Sequence, residues 1–384
     1  MIGLSWPLWI DGPDFPRVPF LRGTPELPVW VSWVVLAGIA GSLSLATLGM
    51  AWRWMIGMAG SLLAFSILQD QNRLQPWAYQ FLVIGLMMAC LSRSRSLRLA
   101  RWYVIGLYAY SGLSKLDASF CRGLGPTFLS AALGRFGIDP GSWSSSNRAL
   151  ACLMMPACEI GLACLLIFRS TRLIGLVGAV AQHFTLIWIL GPWNLGHSTI
   201  VLVWNLALII EDVLIFGQSK IPDDGKGDSW LGGPARWIFQ VVMILPIFER
   251  FGYCDAWPAH ALYASHAERS DIFLAEEDLD HDPLSIHRHL APPGLTPWRR
   301  LDLTAWSREV RGTPLYPSNR VGLAIALFLE ARSRGSQPVR IVEWGRAGFW
   351  NGSRDRQERV GLASIRRGQD RFWLNAFPVS SRHQ

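Results

Sequence analysis

The sequence predicts a mainly α, polytopic membrane helical bundle of about eight spans, followed by a small C-terminal α+β domain. Three observations predict it. The 384 residues are 51% hydrophobic and include 20 tryptophans, and the mean hydropathy is +0.24, too apolar for one soluble domain. Long apolar runs with few charges fill residues 28 to 253. Beyond them the chain turns arginine-rich and mixed. The net charge of +8 is no sign of a nucleic-acid partner, because arginines cluster between apolar runs, where the positive-inside rule places them.

Residues 1–27 form an interfacial lead-in. The start "MIGLSWPLWIDGPDFPRVPF" lacks a basic segment and is broken by four prolines, unlike a signal peptide. Residues 28–253 are the transmembrane domain. Its candidate spans are 29–51, 54–69, 76–92, 101–117, 149–168, 172–191, 197–216 and 235–253. About 20 apolar residues cross the hydrocarbon core, so the shorter runs are expected to be tilted or half-buried. Lipid offers backbone groups no hydrogen-bond partner, which makes these runs helices packed on one another. Glycine and alanine in "GLVGAVAQH" suit close helix contact.

Arg53, the group Arg93, Arg95, Arg98 and Arg101, the pair Arg169 and Arg172, and the stretch "GQSKIPDDGKGDSWLGGPAR" fall on one side if every span is real. That side is read as cytoplasmic. "QDQNRLQPW", the 118–148 loop, "GPWNLGHS" and residues 254–384 then lie outside, in a cell-membrane protein whose C-terminal domain is extracytoplasmic. In that domain "VGLAIALFL" is too short to span and reads as a core helix, while "PVRIVEW" and "DRFWLNAF" read as strands. His287 and His289 would share a strand face near His281, a weak zinc pattern without a supporting carboxylate. No metal is expected. "NGS" at 351 reads as a turn. The six cysteines form no CxxC pair; a Cys121–Cys254 disulfide is left open.

Ionisable groups inside apolar spans are costly and mark functional candidates. Here they are Lys115, Glu159, His183 and the pair Glu211–Asp212. Of 36 basic residues only Lys115, Lys220 and Lys226 are lysines. Tyr108, Ser111 and Lys115 recur at i, i+3 and i+7, one helical face. Burial favours the uncharged amine, which accepts a proton where arginine does not. The plainer reading is a lysine anchoring a helix end, paired with Asp117 or a phosphate. Glu159 needs a partner or a proton. His183 reads either as a helix-to-helix hydrogen bond or as part of a shared polar pocket with Lys115 and Glu159.

The stretch "YSGLSKLDASFCRG" resembles the segment that carries the base lysine in vitamin K-dependent γ-glutamyl carboxylases and their bacterial relatives, the HTTM (horizontally transferred transmembrane) family. Gly112, Lys115, Leu116, Asp117, Phe120 and Gly123 occupy its motif places. "EIGLACLLIFRSTRLIGLVGAVAQHF" is similar to the next helix pair of that family. The resemblance covers about residues 28 to 216. It implies a reduced naphthoquinone or other lipid quinol as cofactor, Lys115 as base and His183 at the developing oxyanion. Tyr108, Ser111 and Glu159 would then belong to the cofactor's pocket. Ser114 stands where the carboxylase has a second lysine, and residues 254–384 do not resemble its substrate-binding domain. The implied activity is therefore quinol-dependent oxygenation or epoxidation rather than carboxylation. Parts of the pattern are also similar to DoxX/MauE-type membrane proteins. These imply the alternative: a non-catalytic membrane subunit supporting a partner's redox or maturation chemistry. A third reading is a structural scaffold whose residues 254–384 bind an extracytoplasmic protein.

Overall fold

Each apolar run predicted to span is a helix, and local chemistry sets its ends. The computed structural model describes residues 1–218, 227–275, 286–332 and 338–379. After the short helix α1 (Trp6–Trp9) come α2 (Val29–Thr47), α3 (Trp52–Gln69), α4 (Pro76–Cys90) and α5 (Arg93–Leu113). Pro76 opens α4, where its missing N–H costs nothing. Two short helices, α6 (Ala118–Arg122) and α7 (Leu124–Leu133), lead to α8 (Ser145–Ile167), α9 (Arg172–Leu190) and α10 (Thr199–Phe216). Asp117 caps α6 through the Phe120 amide at 2.7 Å, and Ser144 caps α8 through Asn147 at 3.2 Å. In α11 (Gly232–Ile244) the run ends early: Pro246 starts a 3-10 helix, Leu245–Phe251.

Four of these helices, α2, α8, α9 and α10, are long and apolar enough to cross a membrane. The count of eight spans is thus not reached by length and composition, because α3, α4, α5 and α11 are too short or too polar. Contacts between helix ends nevertheless gather at two places. At one end Arg53 holds the carbonyls of Ala89 and Leu91 at 3.2 and 3.0 Å. Arg101 there reaches Ile215 O and Gln218 O at 2.8 and 2.9 Å, and Ser229 N meets Cys90 O at 2.9 Å. Arginine forks satisfy the orphaned C-terminal carbonyls of neighbouring helices.

The other end carries the described residues from Cys254 onward. Strands β1 (Arg269–Ala275), β2 (Trp298–Leu301), β3 (Arg340–Trp344) and β4 (Arg356–Val360) form an antiparallel sheet in the order β2-β1-β3-β4. Ile272 pairs with Ile341 and Leu301. Helix α12 (Leu303–Arg311) follows β2, and α13 (Asn319–Arg332) packs on β1 and β3 with every residue from Asn319 to Leu329 buried. The predicted core helix and the strand in "PVRIVEW" are present. Helix α14 (Gly361–Gln369) also packs on α13.

Several local expectations are corrected. "DRFWLNAF" is not a strand: Asn375 turns inward to Pro19 O and Phe377 O at 3.1 and 2.8 Å while Trp373 stands exposed. His287 and His289 lie on a 3-10 helix, Ile286–His289, and His289 meets Glu309 at 3.1 Å. His281, Lys220 and Lys226 fall outside the described residues. Cys121 and Cys254 are both free thiols.

A polar hub at residues 70–75 joins lead-in, bundle and C-terminal part. Arg73 bonds Asp11 at 2.7 Å and Leu8 O at 3.1 Å. Asp70 pairs with Arg311, and Gln71 reaches Pro19 O and Asn375 O at 2.8 and 2.7 Å. Asp70, Gln71, Asn72 and Arg73 are all buried. Buried polar groups persist only when hydrogen-bonded, and here the partners come from three separate stretches of chain.

Candidate functional site

The site lies between α5, α8, α9 and α10. Gly112 sets the distance between α5 and α8: a Cβ there would lie 2.7 Å from Ile160 Cγ1 and 2.8 Å from Pro156 O. Small residues let helix backbones approach this closely. The approach brings Glu159 against the last turn of α5.

Lys115 lies just beyond α5, and its side chain folds back. Nζ is 2.6 Å from Ser111 Oγ, 3.0 Å from Ser111 O and 2.7 Å from Glu159 Oε2. Three acceptors match the three N–H groups of an ammonium. Both side chains are buried. The Lys115 partner is Glu159, not the Asp117 that proximity in sequence suggests.

One turn deeper, the Tyr108 hydroxyl is 2.7 Å from both His183 Nε2 and Asp212 Oδ2. His183 Nδ1 is 2.9 Å from Asn205 Oδ1, and Asn205 Nδ2 donates to Val201 O at 2.8 Å. Beside this set Glu211 bonds Gln80 of α4, whose Oε1 accepts from Trp204 Nε1 at 2.8 Å. Every polar group singled out on the spans therefore meets another across a helix contact.

A cavity connects the two clusters. It leaves about 50 Å³ open to water-sized molecules and is lined by Tyr108, Ser111, Lys115, Glu159, His183 and Asn205 among mostly apolar walls. Leu262 and Tyr263, from the C-terminal part, help line it. Tyr263 holds a left-handed backbone at φ 58° and stacks edge-on against Phe128 and His197. A bulky residue at positive φ persists only where its surroundings hold it. The apolar lining suits an apolar group of a lipophilic molecule.

A second cluster sits at the mouth of the bundle. Asp117 accepts from His266 Nδ1 at 2.8 Å and from Arg250 at 2.6 Å. His266 Nε2 lies 3.0 Å from Glu249, which also pairs with Arg346. Both ring nitrogens face carboxylates, so both must donate and the imidazole is a cation. Burial opposes that charge, but the hydrogen bonds His266 donates to Asp117 and Glu249 outweigh it and raise the His266 pKa above its usual 6.5. His266 gave no signal in the sequence, since it lies in an ordinary loop and its partners are distant. Asn205 and Gln80 were equally invisible: one amide in an apolar span looks like any other.

Fold and site together describe a membrane helical bundle with a lipophilic cavity and buried ion-paired groups. Residues 93–196 match the family described as methylamine utilisation protein MauE. The match takes in α5 to α9, with Tyr108, Ser111, Lys115, Glu159 and His183, but stops before Asn205 and Asp212. It covers about a quarter of the chain. It supports the MauE-type similarity noted in the sequence; nothing found supports the resemblance to the carboxylase and HTTM group. No curated protein and no solved structure matches the chain.

Proposed function

We propose that the chain is a MauE-like, non-catalytic subunit of the cell membrane that supports a partner protein's redox or maturation chemistry. Its C-terminal part would face the extracytoplasmic side and meet that partner. One observation carries the reading against lysine-based catalysis: all three Lys115 N–H positions are taken by Glu159 and Ser111. An ammonium so held has no lone pair with which to take a proton. The MauE match over the helices of the site points the same way.

The rival reading, lysine-based oxygenation of a lipid quinol, keeps one observation in its favour: Lys115 and His183 line the same cavity. The full chain in lipid nanodiscs, supplied with a reduced naphthoquinone, separates the two. Oxygen uptake equal to that of empty nanodiscs, for the parent and for Lys115→Ala alike, is the expected result. Uptake by the parent that disappears in Lys115→Ala would overturn the subunit reading.

A further inference from the structure

The Asp212–Tyr108–His183 set contains a proton that its hydrogen bonds require and that no single member fixes. Asn205 Nδ2 donates to the Val201 carbonyl at 2.8 Å, and a carbonyl only accepts, so the orientation of the amide is set. Its Oδ1 then faces His183 Nδ1 at 2.9 Å, and Nδ1 must carry hydrogen. The Tyr108 oxygen lies 2.7 Å from His183 Nε2 and 2.7 Å from Asp212 Oδ2. Two hydrogen bonds need two hydrogens, and the hydroxyl supplies one. The second sits either on Asp212, as a carboxylic acid, or on His183, as an imidazolium.

We infer that Asp212, Tyr108 and His183 store one transferable proton and relay it to the cavity, which takes a lipophilic weak acid or base. In one state Asp212 O–H donates to Tyr108, and Tyr108 O–H donates to Nε2. In the other, the Asp212 hydrogen has passed to the Tyr108 oxygen and the former Tyr108 hydrogen has passed to Nε2. One O–H bond breaks at Asp212 and one at Tyr108; one O–H forms at Tyr108 and one N–H at His183. A base in the cavity completes the relay: the Nε2–H bond breaks, a bond from that hydrogen to the base forms, and Asp212 is left as a carboxylate, with no electrons exchanged. The first state is uncharged, while the second separates charge in apolar surroundings, which is costly, so the proton rests on Asp212.

The cavity is the outlet, because Tyr108 and His183 line it and Asp212 does not. Gln182 Oε1, on the same wall, is buried with no hydrogen-bond partner in the protein and offers an acceptor to an incoming O–H or N–H. The other ionisable groups facing the set are Lys115 and Glu159, paired with each other, and Glu211, which Gln80 engages. None of them bonds the three atoms of the relay. The inference goes beyond the subunit reading and stands whether or not a partner is engaged.

The full chain in nanodiscs, with ¹⁵N-labelled histidine, tests it. The His183 signals are those lost in His183→Gln. Nδ1 is expected to be protonated and Nε2 bare, and the infrared carboxylic-acid band to vanish in Asp212→Asn while surviving in Glu211→Gln. Addition of 4-dodecylphenol as probe should shift the Nε2 signal in the parent and leave it in place in Tyr108→Phe. A neutral ring protonated at Nε2, or an acid band unchanged in Asp212→Asn, overturns the relay. No shift in the parent overturns the role of the cavity.

Discussion

Lys115 shows why a chain that otherwise chooses arginine places a lysine here. The Ser111 carbonyl, the Ser111 hydroxyl and Glu159 surround Nζ at 3.0, 2.6 and 2.7 Å. A compact ammonium with three rotatable donors fits that shell, whereas the planar guanidinium fork does not. Removing one partner of such a pair leaves a buried, unpaired charge, at a cost of about 3–5 kcal/mol. Glu159→Gln should therefore lower the unfolding midpoint in detergent sharply. The double variant Lys115→Met, Glu159→Leu should recover most of that loss; equal destabilisation in both would show that the pair is not coupled. His266 gives a second residue-scale prediction. Its raised pKa means that its charge stabilises the fold fully below pH 6.5 and that this share is lost as pH rises through the folded value. The parent's midpoint should fall as pH climbs above 6.5, and His266→Gln should flatten that slope. A slope unchanged by the substitution would remove His266 from the account.

At the scale of elements, helix contacts depend on where glycine is needed. A Cβ at Gly112 would press on Ile160 and on the Pro156 carbonyl of α8, and backbone does not step aside. Gly112→Ala should cost about 1–3 kcal/mol through overpacking, despite the better helix propensity of alanine. At Gly38 the same Cβ meets only the tip of Leu62, at 2.8 Å, and a flexible tip can rotate. Gly38→Ala should be neutral or gain up to about 1 kcal/mol. Thermal unfolding of the two variants side by side checks the contrast, and a larger loss at Gly38 would refute it. The helices were legible because apolar runs between arginine and proline signals leave little choice in lipid. The fully apolar run of α13 and the alternation in β3 were legible for similar reasons. "DRFWLNAF" misled because its alternation is real but Asn375, not an apolar residue, supplies the inward contact. Strand β4, "RQERV", is mostly exposed and shows no apolar alternation. Of the site, the costly groups stood out on their spans, whereas their partners depended on how helices distant in sequence face each other.

For the whole molecule, the packing separates two ends. Residues 70–75, the Asp117 cluster and the loop at His197 all touch the C-terminal part, through Arg311, His266 and Tyr263 respectively. Arg53, Arg95 and Arg101 gather at the far end, with Ser229 and Asp228. The fold thus fixes that the arginine-rich loops and the C-terminal part lie at opposite ends, whichever way the bundle is inserted. Charge predicts the direction, since arginines in short loops close to helix ends favour the cytoplasmic side. The hub at 70–73 adds a constraint, because its buried Asp70–Arg311 pair forms only if the C-terminal part and the α3–α4 turn occupy the same compartment. Reporter fusions after Ser96 and at the C-terminus should accordingly report cytoplasmic and extracytoplasmic positions. Reversed positions would mean that charge does not set the insertion but would leave the fold intact. Equal positions would mean that the line between the two ends does not cross the bilayer, and the eight-span reading would fall with it.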